Sequence, residues 1–187
     1  MRWWPPVAVV ALVLLGLAVG KGSTPVDQWF QQLGGRHPEL GYLLVFTDGR
    51  VVVALCAVVF VAALVQRKWR LAAVTAVTPP LAVLAARLGK RLFGRLKDGE
   101  LCFPSGHTTT TFVVLATAVL LLGATTWVLV VAAVAMTLGV VGQAVSYHFF
   151  TDAIGALLLG SALVCVATTV AGLDRRQPEC ELDHSGR

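Results

Sequence analysis

Six long apolar stretches, separated by short polar segments, run through nearly the whole chain. Each is close to the roughly 20 residues that a helix needs to cross a hydrocarbon core about 30 Å thick. The pattern therefore predicts an all-α, polytopic membrane protein whose six transmembrane helices form one bundle over residues 1–173. The stretches cover residues 3–20, 49–66, 71–88, 107–122, 127–145 and 152–173.

The longest uncharged run lies between two histidines, His107 and His148. Residues 108–147 are 40 positions without Lys, Arg, Asp or Glu. As one helix they would extend roughly 60 Å, which is about two crossings of a ~30 Å hydrocarbon core. Residues 123–126 are predicted to form the turn between these crossings. We expect the chain to leave one membrane face after His107 and to return to that face at His148.

Three polar or irregular segments interrupt the apolar pattern. Residues 21–41 are predicted to be a polar loop that carries aromatic side chains. Pro79 and Pro80 lie inside the third stretch, where proline frees backbone carbonyls, so they are predicted to kink or break that helix. Residues 174–187 are polar and charged, and we predict a disordered cytoplasmic tail there.

The composition agrees with a membrane protein. Hydrophobic residues make up 57% of the chain and charged residues 13%, whereas a soluble domain is about 25% charged. The net charge is +5. In so apolar a chain, a basic excess is more typical of topology signals and anionic ligands than of nucleic-acid binding. We therefore predict the bilayer and an anionic ligand as partners and no nucleic acid; the oligomeric state is left open.

The distribution of cations predicts an orientation. Six crossings place both ends of the sequence on one side, with seven of the 15 Lys and Arg residues, and eight on the other side. Five of those eight lie within residues 87–97. If that cluster serves a binding site, the remaining bias places the ends inside. We expect a bacterial plasma-membrane protein with its histidine motifs on the outer (periplasmic or extracellular) face.

His148 and Asp152 form the first candidate pair. Their i, i+4 spacing puts both on one face of a helix. A carboxylate that accepts from one imidazole nitrogen fixes the tautomer and leaves the other nitrogen as a base or nucleophile. The spacing alone is equally compatible with a polar pair that faces solvent at a helix end.

The second candidate motif is Pro104-Ser105-Gly106-His107. Ser105 is predicted to N-cap the fourth helix, and Gly106 permits close approach of a ligand to the backbone. Free N–H groups and the helix dipole then make an anion site. His107 in this first turn is placed to protonate a leaving oxygen. The alternative is a capped helix start with an exposed histidine.

The third candidate is the basic segment 90–97, which has four cations in eight residues. Such a cluster suits phosphate recognition, although a solvated loop or a lipid head-group contact has the same composition. At one membrane face, the three candidates together supply the parts that phosphoryl transfer needs. A zinc site on the two histidines is not predicted, because no third ligand has the usual spacing.

These motifs resemble the type 2 phosphatidic-acid phosphatase family, which comprises membrane relatives of bacterial acid phosphatases and vanadium haloperoxidases. The family pattern is Lys-x6-Arg-Pro, then Pro-Ser-Gly-His, then Ser-Arg-x5-His-x3-Asp. Residues 104–107 match the second part completely, and His148 and Asp152 match the end of the third. Lys90 matches the first part, with Lys97 in place of arginine and Asp98 in place of proline.

The resemblance implies a membrane lipid phosphatase that needs no metal or cofactor. By that resemblance, His148 attacks phosphorus to form a phosphohistidine, Asp152 orients it, and His107 protonates the leaving oxygen. The substrate would be a lipid phosphate or pyrophosphate, such as phosphatidate or a prenyl or undecaprenyl (pyro)phosphate. The implied phosphate ligands are Lys90, Lys97, Ser105 and the Gly106 N–H.

One departure from the family pattern weakens this expectation. Gly142 stands where the third motif has its phosphate-binding arginine, and losing one donor to a developing oxyanion costs about 100- to 1000-fold in rate. Arg95 or Arg91 in the basic segment is predicted to substitute for it. The alternative hypothesis is a protein that kept the fold, lost catalysis and acts as a phospholipid-binding or scaffold protein. A transporter has less support, because no charged residue interrupts a predicted span apart from the segment ends.

Overall fold

The computed structural model describes residues 3–173, which fold almost entirely into helices. Within this range lie seven α-helices, one 3₁₀ helix and one short β-hairpin. The tail predicted over residues 174–187 lies outside the described residues. The elements are α1 Trp4–Val19, α2 Pro25–Arg36, the 3₁₀ helix Pro38–Thr47, α3 Gly49–Val65, α4 Trp69–Phe93, β1 Leu96–Lys97, β2 Glu100–Leu101, α5 Gly106–Leu122, α6 Thr126–Val145 and α7 Phe150–Val170.

Each of the six predicted stretches corresponds to one long helix, α1 or α3 to α7. Within residues 3–173, four segments are long and apolar enough to cross a membrane: the 3₁₀ helix with α3, then α4, α6 and α7. The apolar helices α1 and α5 have only 16 and 17 residues. Large aliphatic side chains on these helices are exposed, as on Val53 and Val131, which is typical of a lipid-facing surface. The protein is therefore an integral membrane protein, and six full crossings remain a prediction.

The loop prediction for residues 21–41 is wrong, because most of this segment is helical. Thr24 N-caps α2 in a capping box: the Asp27 N–H donates to Thr24 Oγ1 at 3.3 Å, and the Thr24 N–H donates to Asp27 Oδ2 at 2.9 Å. Pro25 follows at the first helical position, where its missing N–H costs nothing. The reciprocal cap fixes the start of α2 and buries Asp27.

The predicted break at Pro79 and Pro80 is also wrong, since α4 continues through both prolines to Phe93. Pro79 has no N–H to donate to the Thr75 carbonyl one turn earlier. That carbonyl instead accepts a contact from Cys56 Sγ of α3 at 3.6 Å. A neighbouring helix thus supplies the donor that proline removes, as membrane bundles commonly allow.

The basic segment contains a helix end and a hairpin instead of a loop. Lys90 lies on the last turn of α4, which ends at Gly94 in the left-handed conformation with φ of 60°. Strands β1 and β2 then pair in antiparallel fashion around Asp98 and Gly99. Both turn residues have positive φ, 52° and 84°, which is the backbone of an Asp-Gly hairpin turn. Proline cannot adopt positive φ, so the hairpin explains why Asp98 replaces the family's proline.

Close helix packing positions the second motif. Helices α4, α5 and α7 pack against one another, and α1 packs against α7. Phe103, immediately before the motif, is fully buried. A Cβ on Gly155 of α7 would lie 2.6 Å from the Phe103 ring. Glycine therefore lets α7 approach the segment that leads into α5.

Candidate active site

The amino terminus of α5 is capped as predicted. Ser105 is the N-cap, and its Oγ accepts from the Thr108 N–H at 3.4 Å and from the Thr108 hydroxyl at 3.0 Å. Both contacts use the oxygen as acceptor, so the Ser105 hydroxyl proton stays available for an anion. Gly106 is the first helical residue, where N–H groups and the helix dipole favour negative charge.

A backbone hydrogen bond joins this motif to the third one. The Ser105 N–H donates to the carbonyl oxygen of Asp152 at 3.2 Å. His107 is exposed at the start of α5, and it lies within electrostatic range of His148 and Lys90. The hairpin of α5 and α6 thus brings the two histidines together at one end of the bundle, with Lys90 from the end of α4 beside them.

His148 is buried between the end of α6 and the start of α7. Its backbone N–H donates to the Gln143 carbonyl at 2.9 Å. Its Nδ1 is 3.5 Å from Asp152 Oδ2 and makes no hydrogen bond within the described structure. The expected pair is therefore adjacent, although helix α7 begins only at Phe150 and the two residues do not share a regular helix. Asp152 Oδ2 is fixed by the Phe149 N–H at 2.9 Å, so the nearest acceptor for Nδ1 is held in place.

Lys97 points at the backbone that leads into His148. Its Nζ donates to the carbonyls of Ser146 at 2.8 Å and His148 at 3.2 Å, which leaves one of its three protons for another acceptor. Burial lowers the pKa of Lys97, and the carboxylates of Asp98, Asp152 and Asp27 partly offset that effect. An open polar cavity of about 400 Å3 adjoins Lys97.

Arg95 does not occupy the position expected of a phosphate ligand. Its side chain is fully buried, and its five N–H groups are all used by other parts of the protein. Nε and Nη2 donate to the Gly22 carbonyl at 3.1 and 2.7 Å, and Nη2 also pairs with Asp27 Oδ2 at 2.7 Å. Nη1 donates to Thr151 Oγ1 at 2.6 Å and to Asp152 Oδ1 at 2.7 Å. The prediction that Arg95 replaces the missing arginine is therefore wrong, because no donor remains for phosphate.

Asp27 is the residue of this site that the sequence did not reveal. Its side chain is fully buried, and Oδ1 accepts from the Thr151 N–H at 2.9 Å. Burial acts to raise the pKa of Asp27, but hydrogen bonds from Thr151, Thr24 and Arg95 lower it overall, so the group is ionised at neutral pH. The Thr24–Asp27 capping pattern is visible in the sequence, whereas a pairing with Arg95 68 residues away is not.

The space beside Gly142 is closed by the 3₁₀ helix. A Cβ at this position would lie 2.7 Å from the Leu43 carbonyl carbon and 2.7 Å from the Leu44 nitrogen. A larger side chain fits only if the backbone moves. The neighbouring Gln143 is directed at the 3₁₀ helix, where its Nε2 donates to Thr47 Oγ1 at 2.7 Å. The family's arginine is thus replaced by a tight contact between α6 and the 3₁₀ helix.

An apolar crevice of about 190 Å3 runs alongside α5, between α3 and α6. Thr111 lines it one helical turn beyond His107, and the buried Thr111 Oγ1 has no hydrogen-bond partner within the described residues. The other lining side chains are Val45, Phe46, Val51, Val52, Leu55, Val114, Leu115 and Ala135. The crevice therefore begins one helical turn along α5 from the candidate acid, His107, and continues into the apolar part of the bundle.

No set of three His, Cys, Asp or Glu side chains within residues 3–173 is arranged to hold a metal ion. The two buried carboxylates of Asp27 and Asp152 both bind the guanidinium of Arg95. Cys102, which lies beside them, has its pKa raised to about 12, chiefly by burial. It is therefore a neutral thiol at neutral pH.

Comparison with known proteins gives one match. The family model described as the PAP2 superfamily matches residues 89–176, a range that contains Lys90 and both histidine motifs. No curated protein and no solved structure matches the chain. The family expected from the motifs is confirmed.

Proposed function

This chain is a member of the PAP2 superfamily, and from that premise we propose that it hydrolyses a lipid phosphate or pyrophosphate through a phosphohistidine. The membership supports a phosphoric ester hydrolase of the membrane. The observation that carries the proposal is the pairing of buried His148 with Asp152, at 3.5 Å between Nδ1 and Oδ2. Exposed His107 lies within electrostatic range of the same imidazole.

In the proposed first step, His148 Nε2 attacks phosphorus and the bond from phosphorus to the lipid oxygen breaks. Asp152 Oδ2 faces Nδ1 and stabilises the positive charge that develops on the ring. His107 gives its proton to the leaving oxygen. In the second step, water attacks the phosphohistidine, His107 takes a proton from that water, and inorganic phosphate leaves with His148 restored.

The phosphate oxygens would be held at the start of α5. The free hydroxyl proton of Ser105 and the N–H of Gly106 face an anion at the positive end of the helix dipole. Lys90 from α4 and the remaining proton of Lys97 supply cationic donors. None of these groups has the bidentate geometry of arginine.

A lipid substrate is supported by the crevice beside α5. His107 protonates the oxygen that leaves with the lipid, so the lipid must start close to His107. Thr111 marks the crevice one turn further along the same helix. We propose that the crevice receives the first part of the chain of a phosphatidate or of a prenyl or undecaprenyl (pyro)phosphate.

The second candidate function is a phospholipid-binding or scaffold protein without turnover. It is favoured by two observations on the missing arginine. The space beside Gly142 is filled by the backbone of Leu43 and Leu44, and Arg95 has no donor to spare. The site then lacks one donor to the transition state. Lys90 and Lys97 could still bind a phosphate group in a protein that does not catalyse its hydrolysis.

Phosphate release by the purified full chain in nanodiscs separates the two candidates. Phosphatidate, a prenyl phosphate and a prenyl pyrophosphate are each supplied with a radiolabelled phosphate. Quenching without acid preserves any labelled phosphohistidine on the protein. We expect turnover by the wild type and its loss in His148→Ala, whereas the matched variant His37→Ala retains it. No release from any of the three lipids, together with lipid binding, would establish the second candidate.

We further propose that the site faces the outside of a bacterial plasma membrane. The cation distribution supports this orientation once the cluster at 87–97 is assigned to the site. A short-chain lipid phosphate that cannot cross membranes should be hydrolysed by right-side-out vesicles without detergent. Inside-out vesicles should hydrolyse it only after detergent is added, and the reverse result would invert the assigned topology.

A further inference from the structure

A buried arginine lies between two buried carboxylates at the rear of the proposed site. Arg95 contacts Asp27 and Asp152 at 2.7 Å each, and all three side chains are inaccessible to solvent. A carboxylate that must support a developing imidazolium is weakened when an arginine neutralises it. Arg95 and Asp152 alone sum to zero charge, and Asp27 brings the cluster to −1.

Asp27 also fixes the backbone that carries Asp152. Its Oδ1 accepts from the Thr151 N–H at 2.9 Å and from the Thr151 hydroxyl at 3.0 Å. The same hydroxyl accepts from Arg95 Nη1 at 2.6 Å. Asp27 therefore touches both the residue before Asp152 and the guanidinium that binds Asp152 Oδ1.

The position of Asp27 is itself set locally. The capping box with Thr24 ties its carboxylate to the first turn of α2, and the Gly22 carbonyl just before that turn accepts from Arg95. A helix outside the family match at 89–176 is thus joined to the catalytic end of α7 through a completely hydrogen-bonded network.

We propose that Asp27 is a positioning residue of the hydrolase: through Arg95 and Thr151 it holds Asp152 against His148 and keeps the supporting cluster negative. This inference rests on the proposed phosphatase function. Asp27 does not touch the substrate, so its loss should lower kcat more than it changes KM. The segment around α2 then belongs to the working site, and any movement of α2 alters the support of the nucleophile.

The charged groups that face His148 come from several elements. Asp152 lies on α7, Lys97 on β1 and His107 on α5. Lys90 on α4 and Asp48 before α3 lie within electrostatic range of His107. Behind Asp152 lie Arg95 and Asp27, while Cys102 beside them is a neutral thiol. Neutralising Asp27 leaves all the other charges in place, so the variant isolates one negative charge.

The test compares Asp27→Asn with Glu39→Gln in the full chain. Both remove one carboxylate charge from the segment before α3, but Glu39 is exposed and forms its ion pair with the exposed side chain of His37. For Asp27→Asn we expect kcat to fall about 10- to 100-fold, the size of effect that a slight misplacement of a catalytic group produces, with little change in KM. Asp27→Glu should restore part of kcat, and Glu39→Gln should match the wild type.

A second variant covers the case in which Asp27→Asn does not fold. Thr151→Val removes the hydroxyl between Asp27 and Arg95 but keeps the charges and the backbone hydrogen bond, so kcat should fall with little change in KM. A folded Asp27→Asn or Thr151→Val with wild-type kcat would overturn the inference. An inactive wild type would instead overturn the proposed function and, with it, this inference.

Discussion

The N–H of Ser105 donates to the carbonyl oxygen of Asp152 at 3.2 Å, so the phosphate-binding turn and the support of the nucleophile are parts of one hydrogen-bonded unit. Ser105 caps the helix whose first turn carries the candidate acid, His107. Asp152 Oδ2 lies 3.5 Å from Nδ1 of the candidate nucleophile, His148. The distance between acid and nucleophile is therefore set by backbone contacts between α5 and α7, and substitutions that disturb either helix start should affect both steps of the reaction.

The role of His107 as a general acid is tested by the leaving group. His107→Gln should slow the first step on a lipid phosphate by about 100- to 10,000-fold, the range that general acid catalysis supplies. On p-nitrophenyl phosphate, whose leaving oxygen needs no proton, the loss in the first step should be far smaller. The rate of the burst, measured on both substrates with the purified variant, reports this step separately from hydrolysis of the phosphohistidine. An equal loss of burst rate on both would show that His107 binds phosphate and does not donate a proton.

Arg95→Met should destabilise the fold. It leaves Asp27 and Asp152 buried without their shared cation, and breaking a buried ion pair from one side costs about 3–5 kcal/mol. The exposed neighbour Arg91 provides the matched control, since Arg91→Met removes the same charge from the same segment. Thermal unfolding in detergent compares the two variants. If Arg95→Met kept its stability and only raised KM, the arginine would have to bind phosphate.

The lengths of the uncharged segments were enough to predict the six long helices and the meeting of the two histidines. Both predictions follow from comparing the length of a helix with the thickness of the hydrocarbon core. Local chemistry also predicted the Ser105 cap. The Arg95 network was out of reach, since Asp27 is separated from Arg95 by 68 positions and lies in a segment that looked like a loop. The predicted break at Pro79 failed for a similar reason: the donor that repairs it, Cys56, belongs to another helix.

Introducing the family's arginine at position 142 should not raise turnover. Gly142→Arg places its Cβ 2.7 Å from the backbone of the 3₁₀ helix, so the helices must separate, and overpacking of this kind costs about 1–3 kcal/mol. Even Gly142→Ala should lower the unfolding temperature. Gly35→Ala is the control, because a Cβ there meets nothing within 4 Å. A Gly142→Arg protein with raised turnover and unchanged stability would show that the 3₁₀ helix can move away from α6 at little cost in stability.

The crevice beside α5 should decide which substrates bind well. Ala135→Phe places a ring in a space of about 190 Å3, so KM for a long-chain lipid phosphate should rise, while p-nitrophenyl phosphate should be hydrolysed as by the wild type. Ala133 lies on the same helix but is exposed, and Ala133→Phe should change neither substrate. Steady-state kinetics of both variants on both substrates give four comparisons. If Ala135→Phe affected the two substrates alike, the ring would be disturbing the phosphate site, and the hydrocarbon chain would have to lie elsewhere on the bundle.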